Sequence, residues 1–184
     1  MLVQHHGVTY HDRSKSTPGY TLYTRNFADQ IWLIDMDGTV VHEWKTTGGV
    51  THFHYLRPNG NLFVCERVEE GPKLVSGKSG RMREYDWDGN IVWEHIDLHH
   101  HHDGRRLPHG GAMYLSAEQL SEDQAASVKG GGPAMDHMLA DVVKEVDANG
   151  KLLWQWRAAE HLDTELDILP ESCNRWEWTH FNAA

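Results

Sequence analysis

The chain has little positive charge, little sulfur and no long apolar run. Its 17 lysines and arginines face 27 aspartates and glutamates, a formal net charge of −10 over 184 residues. Neutralising a phosphate backbone needs a surplus of the opposite sign, so a general nucleic-acid binder is excluded, whereas a local anion site is not. There are only 2 cysteines, Cys65 inside the apolar run "NLFVCE" and Cys173 in a polar stretch. They supply no disulfide framework, and Cys65 reads as a buried free thiol. No apolar stretch approaches the roughly 18 residues of a membrane helix, which argues against a membrane partner. The start, "MLVQHHGVTY", has neither the charged nor the apolar region of a signal peptide, so the chain as given reads as cytoplasmic.

Tryptophan is abundant instead: 8 residues against 4 phenylalanines. Such large flat side chains favour a β-rich chain in which they cover sheet faces. An internal repeat points the same way. "IWLIDMDGTVVHEW" (31–44), "MREYDWDGNIVWEH" (82–95) and "VVKEVDANGKLLWQW" (142–156) share a strand, an Asp-x-[Asp/Asn]-Gly turn and a second strand. The turn is a strong hairpin signal because its geometry demands positive φ, which glycine and asparagine tolerate.

Asp35, Asp86 and Asp147 are 51 and then 61 residues apart, close to the roughly 40 to 50 residue period of four-stranded propeller blades. The longer interval contains "EQLSEDQAASVKGGGP", polar and without alternation, which reads as an inserted surface loop over about 117–136. The expected architecture is therefore all-β: a single-domain partial β-propeller with blades around 20–66, 80–116 and 140–184. Closed propellers typically have four to eight blades, and an arc of about three exposes strand edges. The remaining blades are expected from a second chain, a cleavage product or a homo-oligomer.

After each hairpin the copies match again. "THFHYLRPNGNLFVCE" (51–66) aligns with "HHDGRRLPHGGAMYLS" (101–116), pairing His52 with His102, and "EWTHFNAA" places His180 at the same position. One histidine recurs per repeat. Imidazole titrates near neutrality and can attack or donate a proton, and arginine binds oxyanions with a planar fork. His52, His102 and His180 with Arg106 are the candidate catalytic set, and Arg105, His54, His161 and Trp178 are candidate substrate contacts. His161 and Asp163 either cap a channel mouth or lie on plain surface, and the pairs Trp154 with Trp156 and Trp176 with Trp178 read as core and interface, with one available to stack on an aromatic substrate.

"GYTLYTRNFADQIWLIDMDGTVVHEW", "LRPNGNLF", "DWDGNIVWEH", "HHDGRRLPHGG", "VDANGKLLWQW", "EHLD" and "WEWTHFNA" together resemble the N-terminal half of the bacterial arylsulfotransferase-like family, from about Gly19 onward. The resemblance implies a propeller that is six-bladed when complete, with the active site in its central channel. It also implies sulfuryl transfer from a phenolic sulfate ester to another phenol, with a channel histidine as nucleophile and no cofactor.

Two other readings compete. Histidines at i and i+2 of a strand point the same way, so His52 with His54, and His100 with His102, form candidate ligand pairs. A metal-dependent hydrolase or lyase could then hold zinc, copper, iron or manganese on His102, His52 and His180. A non-catalytic binding module explains the propeller but not the recurring histidine. The default for His42 and His95 is packing between blades, for His109 a turn role, and for Arg157 and Arg175 surface ion pairs. His5, His6 and His11, ahead of the first repeat, read as surface or disordered residues.

Overall fold

A computed structural model describes residues 8–74, 77–133 and 135–184, so His5 and His6 lie outside the described residues. The three Asp-x-Asx-Gly segments form hairpin turns for one local reason. The carboxylate of Asp35 accepts the backbone N–H of Asp37 and Thr39, that of Asp86 the N–H of Asn90, and that of Asp147 those of Asn149 and Lys151. Only the glycines adopt positive φ, with Gly38 at 85°, Gly89 at 84° and Gly150 at 82°. Each turn is thus followed by a left-handed glycine and a shift in register just beyond, rather than a two-residue turn with positive φ throughout.

These hairpins build three antiparallel sheets. The first contains β1 (Thr21–Thr24), β2 (Gln30–Ile34) and β3 (Val40–Lys45) in that order. The second is a meander of β4 (Val50–Leu56), β5 (Leu62–Arg67), β6 (Gly80–Tyr85) and β7 (Ile91–Ile96). The third is β8 (His100–Arg106), β9 (Ala112–Gln119), β10 (Leu139–Val146) and β11 (Leu152–Arg157). Sheet boundaries are therefore offset from the blades expected at 20–66, 80–116 and 140–184. A repeat read from its hairpin begins in the last strands of one sheet and finishes in the first strands of the next, which local sequence cannot reveal.

The sheets stack face to face as propeller blades do. Ile31, Leu33 and Trp44 of the first sheet meet Val50, Leu62, Val64 and Tyr85 of the second in one core. Phe63, Cys65 and Met82 of the second meet Ala112, Tyr114 and Val146 of the third in another. Strand β5 is buried along both of its faces, which is why "LFVC" is apolar without alternation. A tryptophan seals each junction: Trp44 Nε1 donates to the carbonyl of Asp86 at 2.9 Å, and Trp93 Nε1 to that of Ala148 at 3.1 Å. Trp154 occupies the matching place in the third repeat and is 47% exposed.

The insertion is more ordered than a surface loop. Strand β9 runs on to Gln119, and α1 (Glu122–Ser127) follows, capped by Ser121 and Gln124 in a reciprocal capping box. Arg175, expected in a surface ion pair, donates instead to the carbonyls of Ala125, Val128 and Gly130 and ties this helix down. Gly130 bridges to Leu169, where a Cβ would come 2.0 Å from the Leu169 carbonyl oxygen. Arg157 pairs with Glu118 and Glu160 before the short helix α2 (Ala158–His161). Among the described residues no helix is long and apolar enough to cross a membrane.

Candidate functional site

Strands β4 and β8 open their sheets, and both lose regular pairing where the histidines sit. Pairing is interrupted between Val50 and His54 in β4 and between His100 and Gly104 in β8. Bulges of this kind bend a strand and re-aim its side chains. His102 takes φ of 50°, left-handed for a non-glycine residue, with its N–H on the carbonyl of Gly77 at 2.9 Å. Gly77 is a glycine because a Cβ there would lie 2.1 Å from the His102 ring.

The bulge brings the three repeat histidines together. The ring of His52 lies across that of His102 with centroids 5.2 Å apart and 23° between planes, and His180 meets His102 edge-on at 4.8 Å. His102 is 8% exposed, whereas His52 and His180 are open to solvent. Burial, and then the neighbouring imidazoles of His101, His180 and His52, bring the pKa of His102 down to about 4. The ring is therefore neutral throughout the physiological range.

A buried chain supports this ring from behind. His101 Nδ1 lies 3.0 Å from His102 Nδ1, and His101 Nε2 lies 2.9 Å from the carboxylate of Asp141. The other oxygen of Asp141 accepts the N–H of Phe181 at 3.0 Å, and the Asp141 N–H donates to the hydroxyl of Thr179. One carboxylate on β10 thus holds both the partner of His102 and the segment that carries His180, which itself contacts Glu177 at 2.6 Å. Neither His101 nor Asp141 stands out in the repeat alignment. The available signal was an acidic residue in the otherwise apolar start of "LADVVKEV".

The i, i+2 expectation fails at β8 because of the bulge. His100 points into the core, 3.8 Å from Cys65 Sγ and edge-on to Tyr114, and full burial holds its pKa down near 3. His54 is half-buried, its pKa lowered by desolvation, and its Nδ1 makes no hydrogen bond among the described residues. Among the described residues no group of three or more His, Cys, Asp or Glu side chains is arranged to hold a metal ion. In the His52–His102 stack the ring faces meet, whereas metal ligation needs in-plane nitrogen lone pairs aimed at one point.

The two arginines of "GRRL" have separate tasks. Arg106 lies over the ring of Trp93 at 3.9 Å, donates to Glu84 at 2.8 Å and caps the carbonyls of Gly110 and Gly111. Glu84 also accepts Arg57 and Asn61; burial alone would raise its pKa, but these hydrogen bonds hold it below the usual range. Arg106 is thus committed to an inter-sheet network rather than to a substrate. Arg105 sits over Phe53 at 3.7 Å, 3.5 Å from Asp103, with its side chain 43% exposed. Trp178 is a core residue, 7% exposed with Nε1 on the carbonyl of Asp167, so it is no substrate platform. His161 stacks on Trp156 with centroids 4.8 Å apart, and Asp163 accepts the N–H of Glu165 in its own turn.

A solved structure of a protein of unknown function from Bacteroides caccae is similar over 84% of this chain and 50% of that one, at 13% identity and a TM-score of 0.48. This chain therefore spans half the length of that protein. Among curated proteins none matches. A family model described as Arylsulfotransferase (ASST) matches residues 8–184.

Proposed function

Because the chain belongs to the arylsulfotransferase family, we propose that the cluster of His52, His102 and His180 carries sulfuryl transfer from an aryl sulfate ester to a phenol. The observation that carries this reading is the meeting of two repeat-related imidazoles on a third, buried one. Imidazole is a nucleophile that can leave again, which a transfer in two steps requires. In the first step a ring nitrogen of His102 bonds to sulfur as the ester S–O bond breaks. The phenolate takes its proton from His52 or His180, both open to solvent beside the buried ring. In the second step the acceptor phenol attacks sulfur, its proton returns to that imidazole, and His102 is released. The low pKa of His102 keeps its ring uncharged and able to attack at neutral pH.

Arg105 supports the sulfate oxygens in this reading, since its guanidinium is half-exposed and next to the aromatic face of Phe53. The remaining blades come from a further sheet seated on β11, where Leu152, Leu153 and Trp154 are exposed. A second chain, a cleavage product or a second copy would satisfy it, and gel filtration with intact-mass analysis distinguishes these sources. The test of the activity is transfer from 4-nitrophenyl sulfate to phenol, followed as 4-nitrophenolate release. Loss of that transfer in His102→Ala, with a smaller reduction in His180→Ala, supports the assignment, and full activity in both overturns it.

A further inference from the structure

The proton positions on the histidine pair are decided by Asp141. A carboxylate has only acceptors, so the contact of 2.9 Å requires His101 to carry its proton on Nε2. In its neutral form His101 then has a lone pair on Nδ1. Only 3.0 Å away, His102 must answer with an Nδ1–H. His102 is left with its lone pair on Nε2. We propose that Asp141 and His101 are positioning residues which hold His102 in the tautomer with Nε2 unprotonated, so that Nε2 is the atom that reacts. The inference rests on the sulfuryl-transfer reading for its consequence, but not for the tautomer itself.

Burial makes the arrangement stringent. Asp141 is 3% exposed and His101 5%, so no bulk water competes for either imidazole nitrogen. The same carboxylate accepts the N–H of Phe181, directly after His180. Asp141 therefore couples the orientation of His102 to the placement of a second ring of the cluster.

Asp141→Asn is a specific probe because the two oxygens have different partners. The Phe181 N–H demands an acceptor, so the asparagine carbonyl must face it and the amide N–H₂ must face His101. His101 then accepts on Nε2 and donates from Nδ1, which forces His102 to accept on Nδ1 and to carry its proton on Nε2. One atom exchanged in Asp141 reverses both tautomers.

The experiment is nitrogen-15 NMR of the ring nitrogens in the full chain, with the His102 signals identified by their loss in His102→Ala. The wild type is expected to show His102 protonated on Nδ1, and Asp141→Asn is expected to show it protonated on Nε2. Transfer from 4-nitrophenyl sulfate to phenol should fall about 10²-fold or more in Asp141→Asn, with the far-ultraviolet circular dichroism unchanged. A wild-type His102 protonated on Nε2 overturns the proposal without any variant, which covers the case where Asp141→Asn fails to fold. Retention of Nδ1–H in a folded Asp141→Asn overturns it as well, and so does a reversed tautomer with undiminished transfer. If His102→Ala transfers as fast as the wild type, the sulfuryl-transfer reading falls, and the spectra still decide the tautomer.

Discussion

His102 lies against His52 with ring centroids 5.2 Å apart and 23° between planes, although the two residues belong to different sheets. Replacing His102 by alanine should lower transfer from 4-nitrophenyl sulfate by about 10²- to 10⁴-fold, the range for removal of a side chain that handles the proton or bond. His52→Ala and His180→Ala should lower it less individually, since either exposed ring can serve the phenolate. Initial rates at saturating and at low donor concentration separate these effects. An unchanged rate in His102→Ala would remove the cluster from the chemistry.

Gly77 is the wall behind the His102 ring. Its φ of 69° suits glycine, and an added Cβ would fall 2.1 Å from the imidazole. Gly77→Ala should therefore lower stability by about 1–3 kcal/mol and displace His102. Denaturant unfolding together with the transfer assay checks this; a stable and fully active Gly77→Ala protein would contradict the contact.

Stability should fall with acid in a defined window. His102, at about 4, and His100, near 3, both lie below the ordinary histidine value of 6.5 when folded. A group with a depressed folded pKa binds fewer protons folded than unfolded, so unfolding takes up protons between the two values. The contribution is fully present above about pH 6.5 and is lost as pH drops toward 4 and then 3. Calorimetric midpoints should decline steadily over that range at constant ionic strength. A flat profile from pH 6.5 down to 4 would show that these imidazoles are not buried as described.

The adjacent arginines should give opposite phenotypes. Arg106→Ala takes one partner from buried Glu84, which keeps Arg57 and Asn61, and should cost about 1.5–3 kcal/mol, the usual range for a hydrogen bond to a charged group. Arg105→Ala removes a half-exposed guanidinium whose 3.5 Å contact with buried Asp103 is not a close hydrogen bond, and should cost less stability than Arg106→Ala while raising the KM for 4-nitrophenyl sulfate. Thermal melts and Michaelis curves on both variants decide the assignment, and a stable Arg106→Ala enzyme with a raised KM would reverse it.

Local chemistry made much of the fold legible. An aspartate that caps its own turn and a glycine with positive φ act over a few residues, so three hairpins could be read from three short segments. Because the repeat places equivalent residues at equivalent points of stacked sheets, alignment alone also singled out His52, His102 and His180.

What the residues alone determined is therefore the all-β repeat, its hairpins and the recurring histidine. The tertiary structure decided which neighbours matter. A bulge turned His100 into the core and His102 out of it, so strand alternation misassigned the pair. Arg105 and Arg106 are adjacent in sequence, yet only the second meets Glu84 across the sheet. Asp141 joined the site from 39 residues beyond His102 because sheet register, set by long-range pairing and burial, brings β10 beside the 177–181 segment. Turn formation is a property of a few bonds, whereas the partner of a buried polar group is settled only when the sheets that enclose it have closed.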